Sequence, residues 1–512
     1  MTDQTVKAVY DELSTLREPY LNRAYACAKL TIPALLPKKG SNSSTTFETP
    51  YQSFGAKAVN NLASKFLLSL FPSNKPFFRF SPSEQEIQLA VKEGKEQGVD
   101  TSKLRTQLEA KLKEQENIVL SELENTPYRA PLFEGFKHLI VTGNILLFRE
   151  KNGKVRAYPL NHYVVRRDPI GNVLEIIIHE VISNKNLPEA IKRNLSDQAA
   201  KEANSEIYTR IINTGKEWSI YQEIDGKKIS ETEGSYPLEA LPYLPLRFIR
   251  VDGESYGRSH VEEYFGDLNA LEGLRQAIVE YAAIAAKTIF LLDPNGSTKA
   301  KQISKAENGD FVVGKAQDVS VLRVEKQADM SVAERTAAGI EMELAKAFLL
   351  NSSVQRNAER VTAEEIRLMA RELEDTLGGI YSILTQELQL PWIKITMFRL
   401  QRDGKMAKLP DSVKPRILTG LEALGRTDER DRMMLFLQDL SLLGQSAMAR
   451  LNVGNVVNRL GTQHQINTDG LLIDEDEFQR QQQQAQMMAM VQRAAPNVVN
   501  GLMQQQGQPA NG

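Results

Sequence analysis

Apolar positions recur at helical spacing through most of this chain and alternate with polar ones in a single middle stretch. Residues 56–71 (AKAVNNLASKFLLSLF) are strongly amphipathic, and Pro72 ends the pattern because proline carries no amide proton for the next turn. Residues 84–124 are rich in Glu, Lys and Gln and read as a surface helix, while 41–46 is a polar linker. The first 130 residues are therefore expected to be mostly helical. Residues 145–250 change period. Asn152-Gly153 and Asp225-Gly226 are hairpin turns between β-rich runs, and 168–171 (DPIG) turns 164–167 back onto 173–182. Residues 187–203 read as a helix between these strands. This is an α+β region of antiparallel strands.

Helical spacing returns at 259–287, where Leu268, Leu271, Leu274, Ile278, Ala282 and Ala285 make one stripe. The length predicts a rod of roughly 40 Å. Ala277, Ala282, Ala283, Ala285 and Ala286 are small enough for neighbouring helices to approach closely. A second rod is expected at 330–350. Between them lies a compact insert, 288–328, with strand-like 311–313 and 319–324. Both rods lean acidic. Glu262, Glu263, Asp267, Glu272 and Glu280 outnumber Arg275 and Lys287, and Glu334, Glu341 and Glu343 outnumber Arg335 and Lys346.

A polar loop, 351–360, comes after the second rod. Then Thr362 and Glu365 stand at capping-box spacing. Ile366, Met369, Leu373, Leu377, Ile380, Leu384 and Leu388 form a buried stripe, with Arg367, Arg371, Glu372 and Asp375 largely off it. Gly378-Gly379 interrupts this helix, implying a kink or close packing. Pro391 ends it in a strand-like run. Residues 413–476 read as helical. Beyond 475 the chain is Gln- and Met-rich, a low-complexity end that is either partly disordered or a terminal helix packing on copies of itself.

Composition narrows the function classes. The 512 residues suffice for several domains and a large core, and the formal net charge is −2. A protein that grips DNA tightly carries a basic excess, so this one either ignores nucleic acid or handles it without holding it. Cys27 is the only cysteine, which excludes an internal disulfide and suits a reducing compartment. The N-terminus is too polar for a signal peptide, and no apolar run is long enough to span a bilayer. The chain is expected to be soluble and intracellular when made.

Motifs for chemistry are sparse. Residues 309–316 (GDFVVGKA) nearly match a P-loop but lack the magnesium-binding Ser or Thr, and a strand is expected where the motif needs a helix. Residues 289–293 resemble a strand ending in the magnesium-partner aspartate, yet precede the glycines instead of coming after them. For both, hairpins of the insert are the simpler reading. His138, His162, His179, His260 and His464 show no metal-binding spacing. His138 is expected in the core, His179 on a strand and His260 at a helix start. No cofactor, metal or catalytic residue is expected. Arg356 and Arg360 in the polar loop are the candidates for touching a phosphate backbone, with Asn351, Ser352, Ser353, Gln355 and Asn357 adding hydrogen bonds.

Four segments in order, 56–80, 158–178, 253–274 and 360–390, resemble the portal proteins, or head–tail connectors, of short-tailed podophages, with spacing held over roughly residues 5–470. The resemblance implies an α+β, mainly helical portal fold. Its parts would be an N-terminal wing at 1–257, a first stem helix at 258–287, a clip at 288–328 and a second stem helix at 329–350. After these would come a tunnel loop at 351–361, a wing helix and strand at 362–412, crown helices at 413–478 and a Gln/Met-rich tail at 479–512. It implies a ring of about twelve copies at one capsid vertex of the virion, assembled in the host cytoplasm. Double-stranded DNA would be packaged and ejected through that ring. The partners implied are the major capsid and scaffolding proteins, the terminase large subunit and tail adaptor proteins, with no membrane. Glu262, Glu263, Asp267, Glu272, Glu280, Glu334 and Glu341 would line an acidic stem lumen. Lys299, Lys301 and Lys305 would make clip contacts, and Arg367, Arg371, Gly378 and Gly379 would support the tunnel loop. The alternatives are a degenerate P-loop ATPase and a helical scaffold or adaptor that never meets DNA.

Overall fold

The computed structural model describes residues 5–42, 44–72, 76–81, 101–193, 195, 202–287, 289–322, 327–350, 363–410, 413–418, 435–442, 456, 480 and 484. Two compact units divide the chain, Met1–Leu421 and Glu422–Gly512. In the second, residues 435–442 form a helix with Leu435, Phe436 and Leu442 exposed.

In the first unit, α1 (Val6–Leu30) starts at Thr5, whose hydroxyl accepts the Ala8 amide. Next come α2 (Phe54–Leu70), β1 (Phe78–Ser81), α3 (Thr101–Glu124) and α4 (Arg129–Thr142). A three-stranded antiparallel sheet has the order β3-β2-β9, from β2 (Asn144–Arg149), β3 (Val155–Tyr158) and β9 (Tyr243–Arg247). A five-stranded antiparallel meander joins β4 (Tyr163–Arg167), β5 (Val173–Ser183), β6 (Asn204–Asn213), β7 (Glu217–Ile224) and β8 (Lys227–Pro237) in sequence order. A short helix, α5 (Glu189–Lys192), stands between β5 and β6. The β7–β8 turn holds Asp225 and Gly226 at φ 49° and 72°, the paired positive values of a tight hairpin.

The meander is covered on both faces, as its alternation requires. Val164, Ile177 and Tyr208 meet Val6, Tyr10 and Leu13 of α1. The intervening Tyr163, Val165, Ile176, Ile178 and Ile211 enter the main core. That core is built on aromatic pairs. Phe66 of α2 stacks on Phe136 of α4 at 6.0 Å, and Phe71 meets Trp392 edge-on at 6.1 Å. Burying Phe66, Phe71, Phe136, Phe248 and Trp392 removes their large apolar surfaces from water, at about 25 cal/mol per Å2.

The two rods are present. The first comprises α6 (His260–Glu263) and α7 (Phe265–Ala285), separated at Tyr264, with Ser259 capping the Glu262 amide at 2.9 Å. The insert holds β10 (Ile289–Leu292), α8 (Ala300–Ile303) and β11 (Val319–Leu322), with β10 and β11 antiparallel. The second rod is α9 (Gln327–Ala347). Then come α10 (Ala363–Leu384), α11 (Leu390–Arg402) and β12 (Lys414–Ile417).

Five expectations are corrected. The run after Pro391 is helical, because Trp392, Thr396 and Leu400 recur every four residues on the buried face, and proline is tolerated in a first turn. Burial there overrides the strand preference of Ile393 and Ile395. Residues 414–417 form a strand, since β12 pairs with β1 (Phe78 opposite Ile417), a partner remote in sequence. Residues 311–313 pair with nothing in the sheet and lie exposed. Between 187 and 203, only Glu189–Lys192 is α-helical among the described residues. The first rod is broken at Tyr264 instead of running unbroken over 258–287.

Candidate functional site

The polar loop at 351–360, with Asn351, Ser352, Ser353, Gln355, Arg356, Asn357 and Arg360, lies outside the described residues, as does the Thr362 cap. On either side of the loop, Leu349 and, within α10, Glu372 are tied to α2. On the entering side, α9 closes with Leu349 at φ 55°, in the left-handed region, and the Leu350 amide returns to the Ala345 carbonyl at 2.8 Å. The Leu349 carbonyl accepts from Lys65 Nζ at 2.7 Å and Asn61 Nδ2 at 3.1 Å. Phe348 is fully buried against His260 at 4.7 Å, and His260 Nε2 sits 3.1 Å from the Ala347 carbonyl.

On the leaving side, Lys65 Nζ also meets Glu372 Oε2 of α10 at 2.8 Å. The described part of the α10 stripe is as expected: Leu373, Leu377, Leu384 and Leu388 are buried and Ile380 half-buried. Leu377 departs from helical geometry (φ −126°, ψ 29°) directly before Gly378-Gly379. A Cβ on either glycine would meet no neighbour within 4 Å. The glycine pair therefore accompanies a kink, and close packing is not its reason. A π-turn, Thr385–Gln389, then carries the chain into α11. Gln389 Nε2 donates to the Leu70 carbonyl at 2.5 Å, and Glu387 accepts from Arg247 Nη2 at 2.5 Å. The side chains of Arg367 and Arg371 lie outside the described residues.

The acidic residues of the rods divide into two groups. Glu272 accepts the amides of Tyr51 and Gln52 at 2.9 and 3.1 Å. Glu341 pairs with Arg275 across the two rods at 2.6 Å, and Glu262 with Arg258 at 2.9 Å and Arg23 at 3.1 Å. Glu263 faces His260 at 3.2 Å. These carboxylates hold the chain together. Asp267, Glu280 and Glu334 are exposed, with Glu280 accepting from Gln276 at 2.8 Å.

The insert's glycine–lysine motif is occupied locally. The Lys315 amide donates to Thr298 Oγ1 at 2.9 Å, and that hydroxyl donates to Asp318 at 2.9 Å. A Cβ at Gly314 would collide with the same hydroxyl, so glycine here serves the turn. The residues after Lys315 form a 3-10 turn, Ala316–Asp318, and then β11. A P-loop needs a helix directly after its lysine, and this segment continues into a 3-10 turn and a strand instead. The 289–293 segment is the expected hairpin strand, with Asp293 in the turn after it. Lys299, Lys301 and Lys305 are exposed beside the fully exposed Phe311. His138 is buried, His179 lies on β5 and His260 starts α6, as expected. Among the described residues, no helix is long and apolar enough to cross a membrane, and no His, Cys, Asp and Glu cluster could hold a metal.

Lys65 gave no signal of its role in the sequence. Its position within an amphipathic helix marked it as nothing more than a polar interruption, and its partners lie hundreds of residues away.

Residues 3–472 match the family model described as bacteriophage head to tail connecting protein. The chain is 40% identical to the portal protein of Escherichia phage T7, over 99% of this chain and 95% of that one. It is 40% identical to the portal protein of Enterobacteria phage T3 (96% and 92% covered) and 32% identical to that of Enterobacteria phage SP6 (98% and 96%). A solved structure of the neck of an empty GTA particle, computed with C6 symmetry, aligns with 77% of this chain and 88% of that one. Its identity is 13% and its TM-score 0.37, too low to bear weight.

Proposed function

This chain belongs to the bacteriophage head-to-tail connecting protein family and functions as a portal of the T7-like podophages, and from there we propose how its parts share the work. Copies close into a ring of about twelve at one vertex of the virion. The two rods form the stem, the 288–328 insert the clip, 351–361 the tunnel loop, and 413–478 the crown. Residues 1–257 and 362–412 form the wing. DNA enters and leaves through the ring, and a separate motor that docks at the clip hydrolyses the nucleotide. The role of this chain is structural.

The observation that carries this reading is the double anchorage of the loop. Lys65 ties Leu349 before it and Glu372 after it to one helix, which supports an anchored role for the polar segment bearing Arg356 and Arg360. Exposed Val279, Ile284, Val332 and Met342 on the rods, with Phe290, Leu291 and Phe311 on the insert, supply apolar surface for neighbouring copies. Strong phosphate contacts would stall a moving duplex, since each adds affinity. Exposed Asp267, Glu280 and Glu334 repel the backbone, and a few loop arginines touch it briefly.

Imaging of the purified protein tests this directly. A closed ring whose channel admits a DNA duplex is expected, and a protein that stays monomeric or dimeric at high concentration overturns the proposal.

A further inference from the structure

A second site lies away from the loop, where the end of β2, the 3-10 turn Leu238–Ala240 and α11 meet. Arg149, Lys151, Arg399 and Arg402 line a small cleft there, walled by Tyr236, Pro242, Ile395 and Phe398. Arg149 is only 2% exposed. Its Nη1 donates to the Trp392 carbonyl at 3.3 Å and to Thr396 Oγ1, and its guanidinium lies 5.0 Å from the Trp392 ring. Among the described residues, its Nε and Nη2 are buried without a hydrogen-bond partner, and so are Nε and Nη1 of Arg399.

Four buried donors on two cations, left without acceptors, are costly unless something supplies negative charge. Protein carboxylates do this poorly here. Glu122 stands 3.8 Å from Arg399 Nη2 and shares itself with Lys405 at 3.9 Å. Asp403 is engaged with Arg402 at 3.0 Å. Burial, and then the nearby Arg399, push the Arg149 guanidinium down to about 9, the direction expected when cations face one another without a counter-ion.

We propose that this cleft binds a small inorganic oxyanion of the phosphate class, which bridges Arg149 and Arg399. The free edge of Arg149, Nε with Nη2, is the planar fork that receives two oxygens of one oxyanion, a geometry a spherical halide does not use as well. The cleft is small, about 20 Å3. The bound anion joins β2 to α11, and so supports the wing independently of any contact with passing DNA.

Equilibrium dialysis of the full-length protein against radiolabelled inorganic phosphate, with chloride holding ionic strength constant, tests the site. About one phosphate per chain is expected, displaced by sulfate and not by equal chloride. Arg399→Gln is expected to weaken binding by about tenfold or more, and Arg402→Gln, at the exposed rim, by less. The second variant keeps the comparison available if the first does not fold. No retained phosphate in the wild type overturns the proposal. So does displacement by equal chloride, or undiminished binding in the folded variants, either of which marks an adventitious ion only.

Discussion

Lys65 Nζ lies 2.8 Å from Glu372 Oε2, joining a helix near the start of the chain to the helix beyond the polar loop. The Lys65 side chain is 4% exposed and that of Glu372 30%, so the pair is partly shielded from solvent. The same ammonium holds the Leu349 carbonyl at 2.7 Å. Replacing Lys65 with Met removes the donor to Glu372 and one of the donors to the Leu349 carbonyl, which keeps Asn61, and is expected to cost about 2 kcal/mol. Denaturant unfolding reads this as a lower midpoint with unchanged slope. Glu372→Gln keeps an acceptor for the ammonium and is expected to cost less.

Gly378-Gly379→Ala-Ala is expected to stabilise the chain by about 1–2 kcal/mol, since alanine favours helix and neither new methyl group meets a neighbour. Straightening at Leu377 is expected to lower DNA packaging while rings still form. Unchanged packaging in a stabilised variant removes the kink from the mechanism.

Removing the charges of Arg356 and Arg360 together is expected to leave ring assembly intact and to alter packaging or retention of DNA. Wild-type rings are expected to bind duplex weakly, with a shallow salt dependence. A steep slope, or normal packaging by the double variant, contradicts the loop's assignment.

His138 links stability to pH. Burial, then neighbouring Lys137, pushes its imidazole down to about 4, against about 6.5 in an unfolded chain. Between those values the unfolded chain binds a proton that the folded one refuses. The contribution is therefore complete above pH 6.5 and is lost as pH falls toward 4, by up to about 3 kcal/mol. His162 and His179 are lowered in the same direction, mainly by burial. Unfolding midpoints at neutral pH and near pH 4.5 are expected to differ less in His138→Gln than in wild type.

Cys27 is 2% exposed, and burial pushes its thiol up to about 11. A thiol reagent at mildly alkaline pH is expected to label it only as the chain unfolds, because the thiolate is the reactive form. Rapid labelling of the native protein contradicts its packing.

Local order was legible from local signals. The β2–β3 and β7–β8 hairpins arise from Asn-Gly and Asp-Gly turns, α2 from its period and Pro72, and the rods from their stripes, because each rests on residues a few positions apart. The kink near Gly378 was one of two readings that the glycine pair allowed. Pairing across the chain lay beyond reach. Nothing near residues 414–417 announces β1 as a partner, and nothing near 391–402 says that a face of Trp392, Thr396 and Leu400 will be buried and hence helical.

The candidate site divides the same way. By itself, the sequence determined that a polar, arginine-bearing loop comes after two acidic rods, and that the net charge is too small for tight DNA binding. Only the tertiary structure decided that Lys65 anchors both flanks of that loop, and that Glu262, Glu272 and Glu341 are engaged within the chain. It alone brought Arg149 beside Arg399. Periodicity and turn chemistry act over a few residues, whereas charge pairing and burial act through space, between groups that only folding brings together.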